Sequence, residues 1–302
     1  MEISTVLIYL KDLFATIMVL LTMFSPAFGG NAEKFQAKNP DELVASFAVV
    51  SDVHVETNNP ESYNNLNGVL EGIKAGENID AAIYTGDNVM NGQFLENVLF
   101  YSALKAVNPA KENIVLVGNH DLGNGAGDHV KSTDDFLANN RLYLGRKLDN
   151  IYSYQVINGC YVISLATEHG DPVGSMMSDE QLAWLEDVLK EAQAADAPIL
   201  VFNHFPIRML VDRNADDFAA LLKKYDVDLY VHGHIHDDLG TDNFYTWGGV
   251  NCINLPRITE ITDYEAGDGI IIEVYENEIL VRGRDFINGN WVDGLEYTYP
   301  IG

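Results

Sequence analysis

Beyond residue 40, short continuous apolar runs alternate with stretches whose apolar residues recur at helical spacing. Ser46-Phe-Ala-Val-Val-Ser-Asp52 has the length and content of a buried strand. Pro60 then opens a helix that sets Leu66, Val69, Leu70 and Ile73 on one face. Ala81-Ala-Ile-Tyr-Thr85 reads as a second strand, a helix around Leu95, Val98 and Leu99 follows, and Asn113-Ile-Val-Leu-Val117 reads as a third strand. Strand, helix, strand, helix, strand is the signature of a right-handed parallel α/β layer.

The second half changes texture. Ile151 to Val156 and Tyr161 to Ala166 flank Asn158-Gly159, a hairpin signal. Ser178-Asp-Glu-Gln181 is a capping box, and the helix it opens turns Leu182, Leu185, Val188 and Leu189 inward. Ile199 to Phe202 and Val227 to Val231 read as further strands, separated by a helix carrying Phe218, Leu221 and Leu222. From Gly248 onward the pattern is all-β, with Ile270 to Tyr275 and Ile279 to Arg284 about the turn Glu276-Asn277-Glu278. One α/β domain with two packed sheets accounts for the whole pattern.

The N-terminus differs. Leu13 to Phe24 is an uncharged run followed by Ser25-Pro26-Ala27-Phe28-Gly29-Gly30. Its length suits the core of a signal peptide, and Ala27 with Gly29 supplies the small residues that a signal peptidase needs. A spanning helix needs about 20 apolar residues, and Lys11 and Asp12 interrupt this run on its N-terminal side. The expected organisation is therefore a signal peptide over 1–29, with an uncleaved anchor as alternative, a linker over 30–44 and one domain over 45–302.

The composition of the 302 residues, 47% hydrophobic and 21% charged, excludes a disordered or coiled-coil chain. A formal net charge of −27 argues against general nucleic-acid binding, since a polyanion would be repelled. It leaves open a small phosphorylated substrate whose site supplies its own positive charge. Two cysteines, Cys160 and Cys252, are too few for a disulfide scaffold or a Cys-rich zinc site, and their apolar contexts suit buried thiols.

Polar residues concentrate where strands end: Asp52-Val-His54, Gly86-Asp87-Asn88, Gly118-Asn119-His120-Asp121, Asn203-His204 and Gly233-His234-Ile235-His236. In parallel α/β sheets the carboxyl ends of the strands form the ligand crevice. Asp52 and His54 stand two apart, which on an extended chain points both to one side, and the same holds for His234 and His236. Carboxylate, imidazole and amide oxygen together suit Mn, Fe or Zn. Asp52, His54, Asp87, Asn119, His204, His234 and His236 are too many ligands for one ion and suit two. The glycines at 86, 118 and 233 permit tight turns beside such a site.

This ordered set resembles the calcineurin-like metallophosphoesterase superfamily over roughly residues 45 to 285. The resemblance implies a two-sheet β-sandwich flanked by helices, with a dinuclear metal site at the strand ends. It implies one divalent ion held by Asp52, His54 and His236, a second held by Asn119, His204 and His234, and Asp87 bridging them. It further implies hydrolysis of a phosphoester by a hydroxide between the ions, with His120 as the catalytic histidine and Asp121 as its orienting partner. Two departures narrow the branch. No Tyr follows Gly86-Asp87 at the purple acid phosphatase spacing, and Gly86-Asp-Asn-Val-Met-Asn-Gly92 lacks the arginine of the Ser/Thr protein phosphatases. The remaining motifs look most like the phosphodiesterase-type branches, with diesters slightly ahead of monoesters.

The expected activity is thus a metal-dependent phosphoester hydrolase acting on a small phosphorylated substrate outside the cytoplasm, with no obligate protein partner. The alternative is a non-catalytic metal-binding surface protein on the same fold. Arg208, four residues after His204, is a candidate to contact substrate phosphate as a planar fork. His232 reads as a hydrogen-bonded core residue. His129 and His169 match no motif and read as surface residues, and Gly123-Asn-Gly-Ala-Gly-Asp128 reads as a mobile rim.

Overall fold

The computed structural model describes residues 34–123, 133–168, 176–210, 215–258 and 266–301. The leader over 1–29, His129, His169 and most of the Gly123–Asp128 loop lie outside the described residues.

The first sheet is built on β1 (Ala45–Val50), β2 (Ala81–Tyr84) and β3 (Glu112–Val115), which pair in parallel. A helix follows each of these strands: α1 (Pro60–Lys74), α2 (Phe94–Val107) and α3 (Thr133–Tyr143). The second sheet takes β4 (Ser153–Ile157) antiparallel to β5 (Cys160–Ser164). After α4 (Asp179–Ala194), β6 (Ile199–Phe202) and, beyond α5 (Ala215–Lys224), β7 (Leu229–His232) extend it in parallel. The hairpin β8 (Phe244–Trp247) and β9 (Val250–Asn254) completes that sheet in the order β4-β5-β6-β7-β9-β8. The chain then returns to the first sheet, adding β10 (Asp268–Val274), β11 (Glu278–Asp285) and β12 (Asn290–Pro300) antiparallel, in the order β12-β11-β10-β1-β2-β3.

Period-two burial explains the layers. Phe47, Val49, Ala81 and Ile83 on the first sheet face Val162, Leu200, Phe202 and Val231 on the second, forming the core between the sheets. The intervening residues Ala48, Val50, Ala82 and Tyr84 face the other way and pack with Leu66, Leu70 and Ile73 of α1 and with Phe100 and Leu104 of α2. On the far side Ile163, Val201 and Tyr230 pack with Leu185 and Leu189 of α4 and Phe218 and Leu222 of α5. The result is helix, sheet, sheet, helix: an α/β sandwich of two mixed sheets.

Most elements lie where the patterning places them, with ends shifted by a residue or two. Among the elements the patterning did not single out are α3, β8, which begins before the stretch read as all-β, and β12, which lies within it. α3 buries only Phe136 and Asn140, so its sequence shows no apolar stripe. β12 is a mostly exposed edge strand without strict alternation. The stretch over 34–44, expected as a linker, is packed against the domain. Phe35 is buried against Trp291 with ring centroids 5.6 Å apart, its backbone bonds to Ala75 and Glu77, and Val44 N donates to Val274 O at 2.9 Å. Phe35 and the later Leu43 and Val44 make no helical or alternating period from which to read this docking.

Candidate metal centre

Five strand ends meet at one edge of the sandwich. β1 delivers Asp52 and His54, β2 delivers Asp87, β3 leads to Asn119, His120 and Asp121, β6 to His204, and β7 to His234 and His236. Asp52, His54, Asp87 and His236 each offer a ligand atom within 4.8 Å of the others, and Asp87, His204 and His234 form a second such set. Asp87 belongs to both.

The backbone geometry differs from the expected extended spacing. Asp52, His54, Asp87, His234 and His236 have φ of 52°, 48°, 50°, 71° and 63°, all in the left-handed region. The side chains converge because the chain turns over sharply as each strand ends, and the carboxylates themselves fix the turns. His234 N donates to Asp52 Oδ2 at 3.0 Å, and His120 N donates to Asp87 Oδ1 at 2.8 Å. The turns also need glycine nearby: a Cβ at Gly118 would collide with the Asp87 carboxylate, and one at Gly233 with Asp52 and Ser51.

Within the cluster, His236 Nε2 lies 2.9 Å from Asp52 Oδ1 and 3.1 Å from His54 Nε2. His204 Nε2 lies 3.1 Å from Asp87 Oδ2, 3.2 Å from Asn119 Oδ1 and 3.3 Å from His234 Nδ1. Asp52, Asp87, Asn119, His204 and His54 are all buried. His204 Nδ1 faces Thr85 O at 3.2 Å, which presents Nε2 to the cluster.

Two observations test whether these residues fit cations. The buried Asp87 Oδ2 has no hydrogen-bond partner, although the Nε2 atoms of His204, His54 and His120 stand 3.1, 3.9 and 3.9 Å away. Imidazole nitrogens also converge in pairs, His54 with His236 and His204 with His234, as ligand atoms gathered around shared cations do. Electrostatics agree. Burial opposes ionisation of Asp52 and Asp87, yet the neighbouring histidines hold both below the usual carboxylate range. Burial would likewise depress His204, but the Asp87 and Asp52 carboxylates lift it to about 9. Burial together with the charge on His204 lowers His234 to about 4. The cluster demands positive charge, and its oxygen and nitrogen donors fit a dinuclear divalent metal site.

His120 stands beside this cluster with its Nε2 toward Asp87 and its ring edge-on to His54, centroids 4.8 Å apart. Its Nδ1 lies 2.6 Å from Met90 O. A carbonyl only accepts, so Nδ1 carries a proton and Nε2 is left to face the site. Asp121, expected to orient this ring, instead accepts from Asn88 N and Val89 N through Oδ1, and from Asn88 Nδ2 and Gly118 N through Oδ2. It ties the Asp87 turn to the Gly118 turn; burial and the nearby Asp87 charge push its carboxyl up to about 7. The oxygen that takes its place, Met90 O, is a backbone atom and carries no signal in residue type.

The remaining candidates separate. Arg208 sits exposed in a one-turn 3-10 helix, Ile207–Met209, and its charge reaches the buried His232. His232 is a core residue as expected, bonded through Nδ1 to Gly233 O at 2.9 Å and through Nε2 to Tyr245 Oη at 2.6 Å, with burial pulling it down to about 3. Cys160 and Cys252 are free and buried.

The family described as calcineurin-like phosphoesterase matches residues 45–238. No curated protein shows significant sequence similarity to the chain. Among solved structures, the chain is similar to a dimetal phosphatase from Danio rerio (TM-score 0.62, 15% identity, covering 86% of this chain and 100% of that one). It is also similar to the purple acid phosphatase PPD1 from yellow lupin, Lupinus luteus (TM-score 0.58, 14% identity, 84% and 53%). A third is GAP50, described as the anchor in the inner membrane complex of Plasmodium (TM-score 0.52, 14% identity, 85% and 89%). At such identities the likeness is one of fold.

Proposed function

The chain belongs to the calcineurin-like phosphoesterase family, and from that premise we propose that it hydrolyses small phosphoesters, diesters ahead of monoesters, outside the cytoplasm. The observation that carries the reading is the Asp87 carboxylate shared by two ligand sets, with His120 Nε2 beside it and outside both.

Asp52, His54 and His236 would hold one divalent ion, Asn119, His204 and His234 the other, and Asp87 both. Ions bound there supply the positive charge that activates water and offsets charge on the phosphoryl oxygens. His120 supplies what they do not: a proton for the departing oxygen. The Met90 carbonyl retains the Nδ1 proton in both protonation states, so the proton that turns over is the one on Nε2. The Asp121 carboxylate keeps the turns bearing Asp87 and His120 in register.

The preference for diesters rests on charge. Asp237 and Asp238, both exposed, follow His236 directly and disfavour the second negative charge of a monoester, while Arg208 is the cation proposed to meet the phosphate. Action outside the cytoplasm rests on the leader pattern of residues 13–29.

Protein lacking residues 1–29, stripped of metal and resupplied with Mn, Fe or Zn, is expected to turn over bis-p-nitrophenyl phosphate faster than p-nitrophenyl phosphate. His120→Ala should lower kcat on diphenyl phosphate, whose departing oxygen needs a proton, by about 100-fold or more and leave metal content unchanged. Full activity in that variant would remove His120 from the chemistry. A faster monoester would reverse the substrate preference, and two tightly bound ions without turnover would favour a metal-binding protein on this fold.

A further inference from the structure

The residue expected to orient His120 does not touch its ring, and the structure offers another. Met90 O, which accepts from His120 Nδ1, belongs to the same peptide group as Asn91 N–H. That group is planar, so fixing its N–H fixes the direction of its C=O. Asn91 N donates to Glu96 Oε2 at 2.9 Å. Glu96 also accepts from Asn91 Nδ2 at 2.9 Å and from Gln93 N at 3.1 Å. A glutamate in a capping box takes the N-cap N–H alone. Here the two bonds to Asn91 reach further back and hold the loop rather than the helix. Met90 N, in the preceding peptide group, donates to Val55 O at 3.0 Å and anchors the chain just before the relay peptide.

Glu96 is fully buried, and among the described residues no Lys or Arg pairs with it. Burying a carboxylate without a cation is costly, and capping alone would be served by an exposed side chain. A carboxylate on the N–H of a peptide also polarises its C=O and strengthens that oxygen as an acceptor. We infer that Glu96 positions His120 through the Met90–Asn91 peptide group, forming a carboxylate–peptide–imidazole relay in place of a direct carboxylate–histidine contact.

The inference rests on His120 acting as proton donor to the leaving oxygen, and its test exploits that role. Diphenyl phosphate and bis-p-nitrophenyl phosphate differ in how much the departing oxygen needs a proton. Glu96→Gln keeps the side-chain length and removes the charge; Glu96→Asp keeps the charge and withdraws it from Asn91 N–H. Either variant should lower kcat on diphenyl phosphate by about 10-fold, change bis-p-nitrophenyl phosphate less than about twofold, and leave KM and metal content unmoved. A second readout is independent of turnover. The His120 Nδ1 proton resonance, identified by its loss in His120→Gln, should move upfield in either Glu96 variant. Equal losses on the two substrates, no loss on diphenyl phosphate, or an unmoved Nδ1 resonance would overturn the inference. Should the unsubstituted protein hydrolyse neither ester, the proposed function fails, and the resonance alone decides the positioning role.

Discussion

Asp87 is the residue on which the centre turns. Its Oδ1 accepts from His120 N, its Oδ2 is buried without a hydrogen-bond partner, and both ligand sets include it. Asp and His occupy the left-handed region more readily than bulky or β-branched residues, so the backbone of the site favours residue types that can also bind metal. Asn shares that tolerance. Asp87→Asn should therefore fold, keep an oxygen for His120 N–H, and lose the charge shared by the two sets. Its metal content, measured by elemental analysis after dialysis, is expected to fall below two ions per chain. Two ions retained would deny Asp87 the bridging role. At this scale the sequence was informative about which side chains meet, because carboxylate and imidazole types at strand ends are rare enough to be noticed. It was silent on Met90, whose contribution is a carbonyl oxygen. It also misdirected Asp121, whose adjacency to His120 in the chain does not bring the carboxylate to the ring.

Strand ends and the turns beyond them are the elements that matter for the site, and strand starts matter for stability. Asp228 precedes β7, is buried, and accepts from Ile199 N at 2.7 Å at the start of β6. Burial, with a smaller effect from Asp226, pushes its carboxyl from 3.8 up to about 6. A raised folded value means that the stabilisation is fully present below the unfolded value and is lost as pH rises through about 6. Asn keeps the acceptor oxygen without the charge. Asp228→Asn should therefore be more stable than the unsubstituted protein above about pH 6, by at most about 3 kcal/mol, and melt higher there, with the gap closing near pH 4. Identical melting temperatures at pH 7.5 would show that the buried charge costs nothing. Continuous apolar runs made β1, β2, β6 and β7 legible, since strands covered on both faces need no polar alternation. α3 escaped because one buried Phe and one buried Asn make no stripe. The start of α2 at Gln93 and Glu96, and the reach of Glu96 to the His120 loop, needed the fold.

For the whole molecule, the sandwich brings five strand ends from two sheets to one edge, so ligands spread over residues 52 to 236 form one cluster. The chain is strongly acidic, with a net charge of −27, and it buries two of its carboxylates, Asp52 and Asp87, with histidines as the side chains that hold them ionised. Cations complete that balance. The same acidity is part of the case for proposing small substrates of low charge, met by the centre and not by a basic surface. The most direct measurement is a metal titration of the stripped protein, following bound ions and hydrolysis of bis-p-nitrophenyl phosphate together. Saturation at two ions per chain, with turnover absent before the ions bind and abolished again by chelation, is the predicted result. Turnover without metal, or two bound ions with no turnover on any phosphoester offered, would contradict it.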